Sequence, residues 1–117
     1  MSVICASVFE ELRQTSGDEL LDALIDAFLD EGPKMLAAMQ AAHAAADLDA
    51  FRRNAHSLKT NAETFGATDL AVRAKALEVA ARAGTIGSAT QMESLLEAYR
   101  AAAVALQELR ELREPRP

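Results

Sequence analysis

The side chain best suited to covalent chemistry in this sequence is the imidazole of His56, which lies among cationic residues. Arg52 precedes it by about one helical turn and Lys59 follows it by about one turn, so on a helix both approach the ring. An unperturbed imidazole titrates at about pH 6.5, and much of it is therefore neutral and nucleophilic at neutral pH. A ring nitrogen of this kind can accept a phosphoryl group, whose negative charge the neighbouring cations would offset. The residue types and their spacing make His56 a candidate phosphoacceptor.

Four neighbours of this histidine are candidates for contact with a partner that approaches the ring. Arg52 and Arg53 are placed to offset the charge of a phosphoryl group. Thr60 is small enough to leave room for an incoming surface, and its hydroxyl is also able to hydrogen-bond the imidazole or the phosphate. Glu63 lies about two turns beyond the histidine. A single exposed histidine on a helix is most often simply solvated. Its charged neighbours are likewise compatible with an ordinary charged helix face.

The sequence predicts no metal site of this chain's own. His43 and His56 lack the spacing of metal ligands, and no Cys, Asp or Glu completes a site with them. We interpret His43 as a surface or boundary residue. Phosphoryl transfer commonly uses Mg²⁺, and no carboxylate cluster here is obviously built to hold it. We therefore expect the metal and the remaining catalytic groups to come from a partner protein.

The helix that bears His56 has the sharpest hydrophobic pattern in the chain. Apolar residues recur at steps of three and four over a segment from about residue 49 to residue 65. They are Leu48, Phe51, Ala55, Leu58, Ala62 and Phe65. His56 lies roughly 130° from the centre of this stripe on a helical wheel, so we expect an exposed ring. Asp47 is a candidate N-cap of this helix, and Gly66 is a natural C-terminal stop.

Four other segments show helical signals. A short helix is expected over residues 4–12, with Val8 and Leu12 facing inward. A long helix begins near residue 19, is kinked or restarted at Gly32 and Pro33, and ends near residue 46. Two more follow, one from about residue 68 and one from about residue 90. The candidate caps of the second and fourth helices are Ser16 or Asp18, and Thr68 or Asp69.

The inner faces of these segments follow from the same periodicity. For the long helix they are Leu20, Leu21, Leu24, Ile25, Phe28, Leu29, Met35, Leu36 and Met39. For the last two helices they are Leu70, Ala74, Leu77, Ala81, Met92, Leu95, Tyr99, Ala102, Leu106 and Leu109. Four substantial amphipathic segments with short breaks predict an all-α fold, an antiparallel (up-and-down) four-helix bundle with a short additional N-terminal helix. We expect one domain over residues 1–117, with residues 1–5 and 113–117 as loose ends.

Composition and charge exclude several classes of function. The net charge is −6 and the pI about 4.8, which argues against a nucleic-acid binder that needs a basic face. Cys5 is the single cysteine, so no internal disulfide forms and a reducing compartment is expected. The sequence has no run of about 18 apolar residues that could span a membrane. Its N-terminus lacks the pattern of a signal peptide. These features predict a cytoplasmic protein.

The segment around His56 also resembles a known family. Residues 55–70 read AHSLKTNAETFGATDL. This string resembles the signature of histidine phosphotransfer (HPt) domains of phosphorelays, roughly Ala-His-x-Leu-Lys-Gly-Ser-Ser/Ala followed by a hydrophobic residue, Gly-Ala and Leu. The later run Lys75-Ala76-Leu77-Glu78 is similar to the family's Leu-Glu ending on the next helix. The long helix interrupted by proline and the long last helix are also typical of the family.

The resemblance implies a role for each matching residue. It makes His56 the phosphorylated residue and Lys59 the cation that steadies the phosphoryl group. Thr60 stands where the family commonly has glycine, and Asn61 where a small serine or alanine is frequent. The bulkier Thr60 departs from the pattern and puts the choice of partner in doubt more than the function.

The resemblance also implies the partners. These are receiver domains of response regulators, which supply Mg²⁺ and the acceptor aspartate, and a hybrid sensor histidine kinase as donor. The chain would then be a phosphoryl carrier without an ATP site or turnover of its own. The sequence leaves the oligomeric state open, and we expect a monomer.

The sequence leaves three alternatives open. The first is a helical adaptor that binds a receiver or kinase without being phosphorylated, for which the reactivity of His56 is dispensable. The second is an enzyme, but the sequence has no Ser/His/Asp set, glycine-rich phosphate loop or metal motif. The third is a four-helix dimer with kinase function, which would need a nucleotide-binding segment that is not found here. Labelling by ATP and Mg²⁺ without a kinase would favour this third alternative.

Overall fold

The computed structural model describes residues 3–113, with Arg113 described by its backbone only, and within this range it contains five helices and no strand. The helices are α1 Ala6–Ser16, α2 Asp18–Ala44, α3 Leu48–Phe65, α4 Thr68–Arg82 and α5 Ala89–Arg113. Helices α2 to α5 each pack on the next, α5 returns to α2, and α1 packs across α2 and α3. The predicted all-α bundle with an additional N-terminal helix is confirmed. No helix in the described range combines the length and apolarity needed to cross a membrane.

Helix α3 forms as its sequence pattern predicts. The Asp47 side chain accepts a hydrogen bond from the backbone N–H of Ala50 at 3.1 Å, which caps the first turn. Gly66 ends the helix in the left-handed conformation, with φ of 77°. The predicted stripe is buried at Phe51, Ala55, Leu58, Ala62 and Phe65 and half-buried at Leu48. This burial fixes the rotation of α3 about its axis and so decides which residues face outward.

The predicted caps of α2 and α4 are wrong. Helix α2 begins directly after Gly17, whose φ of 83° makes the reversal from α1, and no side chain caps it. Asp18 and Glu19 instead lie in its first turn, where negative charge is favourable. Helix α4 follows a turn of only two residues. Thr68, its first residue, donates its hydroxyl to the Gly66 carbonyl rather than accepting a backbone N–H. The N-cap positions are occupied by Gly17 and Ala67, which have no side-chain oxygen to accept a backbone N–H.

Helix α2 runs through the predicted interruption without restarting. Pro33 lies inside the helix, and Gly32 before it is buried against the ring of Tyr99 on α5. A methyl group on Gly32 would overlap that ring, so the glycine permits the close approach of the two helices. The Tyr99 hydroxyl donates to the Phe28 carbonyl at 2.9 Å, and burial raises the pKa of Tyr99 to about 12.

Residues 4 and 5 belong to the predicted loose end 1–5, but in the structure they are held against the bundle. Ile4 is buried, and the backbone N–H of Cys5 donates to the Gly66 carbonyl at 2.8 Å. In α1 the fully buried residue is Phe9, whereas Val8 and Leu12 are half-buried. Leu20, expected inside α2, is 53% exposed. Of the ends predicted to be loose, residues 1, 2 and 114–117 lie outside the described range.

The inner faces predicted for the last two helices are confirmed. In α4, Leu70, Ala74, Leu77 and Ala81 are buried; in α5, Met92, Leu95, Tyr99, Ala102 and Leu106 are buried and Leu109 is half-buried. The loop between α4 and α5 contains the predicted break at Gly84 and Gly87. Because α3 and α4 are joined by a short turn and packed along their length, residues near position 56 face residues near position 78.

Candidate functional site

His56 lies on the outward side of α3, with 52% of its side chain exposed. The ring is nevertheless oriented, because Nδ1 lies 2.7 Å from the Oε2 atom of Glu78 on α4. The sequence pattern predicts an exposed ring but no partner for it on another helix. The structure instead gives it a partner on the neighbouring helix while leaving half of it open to solvent.

Glu78 joins three side chains into one cluster. Its Oε2 atom accepts from His56 and from the Arg82 guanidinium at 2.9 Å, and its Oε1 atom lies 3.2 Å from Nζ of Lys59. The Glu78 side chain is only 3% exposed. A carboxylate buried to this degree is costly unless its oxygens are paired, and here both oxygens are. The cluster therefore explains how an ionised group is tolerated beside the bundle core.

Two opposing effects set the pKa of Glu78. Burial, the largest effect, raises the pKa, but hydrogen bonds from His56 and Lys59 and the charges of the same residues lower it. The net result is a pKa below the ordinary value for glutamate. Glu78 is therefore ionised at neutral pH.

The ionisation of Glu78 determines the tautomer of His56. A carboxylate only accepts hydrogen bonds, so the short contact requires the hydrogen to be on Nδ1. In the neutral ring the lone pair then lies on Nε2. The geometry thus leaves Nε2 as the nucleophilic nitrogen, while Nδ1 is held by its hydrogen bond to Glu78 on α4.

The other residues predicted to surround His56 have different contacts. Arg52 and Arg53 both pair with Asp49 on their own helix, at 2.9 and 3.0 Å, rather than with the cluster. The Thr60 hydroxyl donates to the backbone carbonyl of His56 at 3.1 Å, so in this structure it does not bond the imidazole as suggested.

Three further residues singled out in the sequence lie outside the cluster around Glu78. Glu63 is exposed, and Asn61 is half-buried, with its amide 3.8 Å from the sulfur of Met35 on α2. His43 is half-buried beside the ring of Phe51, as expected for a boundary residue.

Sequence reasoning missed Glu78 and Arg82 as members of the site. A signal was present, because Glu78 lies four residues after Ala74 and three before Ala81, on the buried stripe of α4. A charged residue on an apolar face needs a partner, and Arg82 one turn later is one of them. The resemblance drew attention to Leu77-Glu78 but gave Glu78 no role.

Comparison with known proteins shows the family of this chain. The sequence profile of the Hpt domain family matches residues 23–114, which is most of the chain. The chain belongs to the Hpt domain family, the phosphocarrier domains of histidine phosphorelays. It is also similar to the crystal structure of histidine-containing phosphotransfer protein B (HptB) from Pseudomonas aeruginosa PAO1. The TM-score is 0.87 with 27% sequence identity, over 96% of this chain and 97% of that one. The comparison with curated proteins gave no match.

Removing the ammonium group next to Glu78 should weaken transfer without unfolding the protein. For Lys59→Ala we expect a roughly tenfold slower transfer from a phosphorylated receiver, because a preorganised charge near the phosphoryl group is lost. Thermal unfolding should change little, since Glu78 keeps His56 and Arg82. Lys34→Ala is the matched control, because Lys34 pairs with Asp30 on α2. Equal transfer by the two variants would remove Lys59 from the site.

Glu78 can be tested by a pair of substitutions. Glu78→Gln retains an oxygen that accepts from Nδ1–H, whereas Glu78→Leu removes both the acceptor and the charge. Histidines that lose such an orienting partner in metal sites lose about ten- to a hundredfold in affinity or activity, and we expect a loss in this range for Glu78→Leu. Glu78→Gln should fall between Glu78→Leu and the unmodified protein. Transfer rates ranked in any other order would argue against an orienting role.

Proposed function

We propose that this chain is a phosphoryl carrier in which Nε2 of His56 takes a phosphoryl group from a sensor kinase or a receiver aspartate. It then passes the group to the aspartate of a response regulator. The observation that carries the proposal is the bond between Nδ1–H of His56 and the buried Glu78, on a ring that is half exposed. This arrangement supports a nucleophile that is oriented by its own chain and accessible to another.

The chemistry of each step balances at this site. Nε2 forms a bond to phosphorus as the bond between phosphorus and the aspartyl oxygen breaks, and the aspartate leaves as a carboxylate. Since Nδ1 keeps its hydrogen, the ring becomes a cationic imidazolium, and its charge lies beside the Glu78 carboxylate. Lys59 is placed to offset the charge of the phosphoryl group. The return step reverses these changes on a second receiver.

The receiver is expected to supply what this chain does not. Mg²⁺ and the acceptor aspartate belong to its acidic pocket, and this chain acts without an ATP site or turnover of its own. Arg52, Arg53, Thr60 and Glu63 on the outer side of α3 are the proposed contact residues. We propose that the chain works as a monomer in the cytoplasm, with receiver domains and a hybrid sensor histidine kinase as partners.

The test is a chase of the phosphoryl group between purified proteins. The chain is labelled with phosphoramidate, freed of donor, and mixed with receiver domains from the source organism in the presence of Mg²⁺. Intact-mass measurements should show the phosphoryl group leaving this chain and appearing on at least one receiver. Chelation of Mg²⁺, or replacement of the receiver's acceptor aspartate by asparagine, should block the transfer. A labelled chain that passes its group to no receiver would contradict the carrier function and favour the adaptor alternative.

A further inference from the structure

A groove runs along the seam between α3 and α4, beginning next to the cluster of His56, Lys59 and Glu78. Its volume is about 420 Å³, and it ends against α1. Val8 of α1 and Ala71 and Val72 of α4 contribute the apolar part of its lining. We call it the α3–α4 groove. Lys59, which is bonded to Glu78, is also one of its lining residues, so the groove is continuous with the phosphoacceptor site.

Two charged side chains of opposite sign in the lining of this groove have no partner within the described part of the chain. Most charged residues of α3 and α4 form ion pairs within the chain: Arg52 and Arg53 with Asp49, Arg73 with Asp69, and Lys59 and Arg82 with Glu78. The side chains of Glu63 on α3 and Lys75 on α4, by contrast, form no ion pair or hydrogen bond with any other described residue. Both are exposed, and both line the α3–α4 groove.

The apolar lining is also open to solvent. Val72 is 61% exposed and Val8 is half-buried, although both face the groove. An apolar patch bordered by unpaired charges has the composition of a protein docking surface, in which apolar contact gives affinity and charges give orientation. An exposed valine beside an unpaired glutamate and an unpaired lysine is therefore better explained by a protein partner than by solvation alone.

We propose that the α3–α4 groove docks the receiver domain that exchanges its phosphoryl group with His56, and so contributes to the choice of receiver. An aliphatic side chain of the receiver enters the groove near Val72. An acidic residue of the receiver pairs with Lys75 and a basic residue pairs with Glu63. The inference rests on the proposed function, because a partner that reaches Nε2 of His56 lies directly beside the groove. The two charges of opposite sign define one orientation of the partner and disfavour receivers with the reverse pattern.

The charge arm of the test uses Lys75→Glu, with Arg73→Glu as control. Both change the charge of α4 by the same amount, but Arg73 does not line the groove. The receiver is the domain from the source organism that accepts the phosphoryl group from the unmodified chain at the lowest KM. Lys75→Glu should raise this KM about five- to tenfold relative to Arg73→Glu, with a smaller change in the rate at saturation. Added salt should raise the KM of the unmodified chain more than that of Lys75→Glu.

The apolar arm uses Val72→Ser, with Val104→Ser as control. Val104 is similarly exposed at 53% but lies on α5, away from the groove. Val72→Ser should raise the KM a few-fold, whereas Val104→Ser should not. If the unmodified chain transfers normally and all four variants share one KM, the groove proposal is overturned while the carrier function stands. If the unmodified chain transfers to no receiver, the carrier function and the groove proposal fall together.

Discussion

Replacing His56 with glutamine is expected to abolish phosphoryl transfer while leaving the bundle folded. Glutamine is similar in length, and its amide N–H can donate to Glu78 as the imidazole does. An amide nitrogen is not nucleophilic, so we expect transfer from a phosphorylated receiver to fall by about a thousandfold or more, to below detection. Since the ring is half exposed and away from the core, the free energy of unfolding should change by less than about 1 kcal/mol.

His43→Gln provides the matched control for this experiment. It makes the same chemical change at the other histidine, which packs beside Phe51 rather than at the cluster. We expect full transfer from this variant. If His56→Gln binds a receiver but does not take its phosphoryl group, the carrier role is supported. If signalling in cells survives His56→Gln, the chain acts as an adaptor.

The second large effect is expected at Leu58, on the opposite side of the same helix. Leu58 is completely buried in the middle of the α3 stripe. Truncation to alanine removes core contacts and leaves a cavity, which typically costs about 2–5 kcal/mol. Denaturant unfolding followed by circular dichroism measures this loss directly. Ser57→Ala, at the exposed neighbouring position, should change stability by no more than about 0.5 kcal/mol. Equal stability of the two variants would contradict the rotation of α3 on which the site depends.

The fold was predictable where the hydrophobic period was strong. In α3 the apolar residues recur so regularly that its bounds, both ends and the outward direction of His56 follow from the sequence. The predictions failed where tertiary contacts or tight turns decide the outcome. Leu20 lies within an apolar run but remains exposed, and Gly17 rather than a polar side chain begins α2. Neither outcome is contained in local periodicity.

The candidate site was predictable only along one helix. His56 and Lys59 are neighbours in sequence and stay neighbours in space, as helical spacing requires. Glu78 lies 22 residues away, and its contact with His56 depends on how α3 and α4 align across a two-residue turn. The expectation for Arg52 and Arg53 omitted Asp49, which precedes them by three and four residues and binds both. That pairing was readable from the sequence, because residues at these spacings touch on a helix.

The buried Glu78 gives the site an oriented imidazole with a negative charge beside it, which an exposed histidine alone would lack. Glu78 fixes one tautomer of the ring, and its charge lies where an imidazolium would form in the proposed transfer. Lys59 and Arg82 offset that negative charge in the resting state. We expect Lys59 to exchange its contact with Glu78 for one with the phosphoryl group, with Arg82 remaining on the carboxylate. With these exchanges, the cluster would balance its charges in both the free and the proposed phosphorylated state.

Direct labelling measures whether His56 itself becomes phosphorylated. The purified chain is incubated with phosphoramidate or a phosphorylated receiver and digested at neutral or basic pH. The peptides are then analysed by mass spectrometry under conditions that preserve phosphohistidine. We expect one acid-labile phosphoryl group on the peptide that contains His56, and none on the peptide that contains His43. Absence of any adduct with several competent donors, or a phosphoryl group at another residue, would contradict the proposed function.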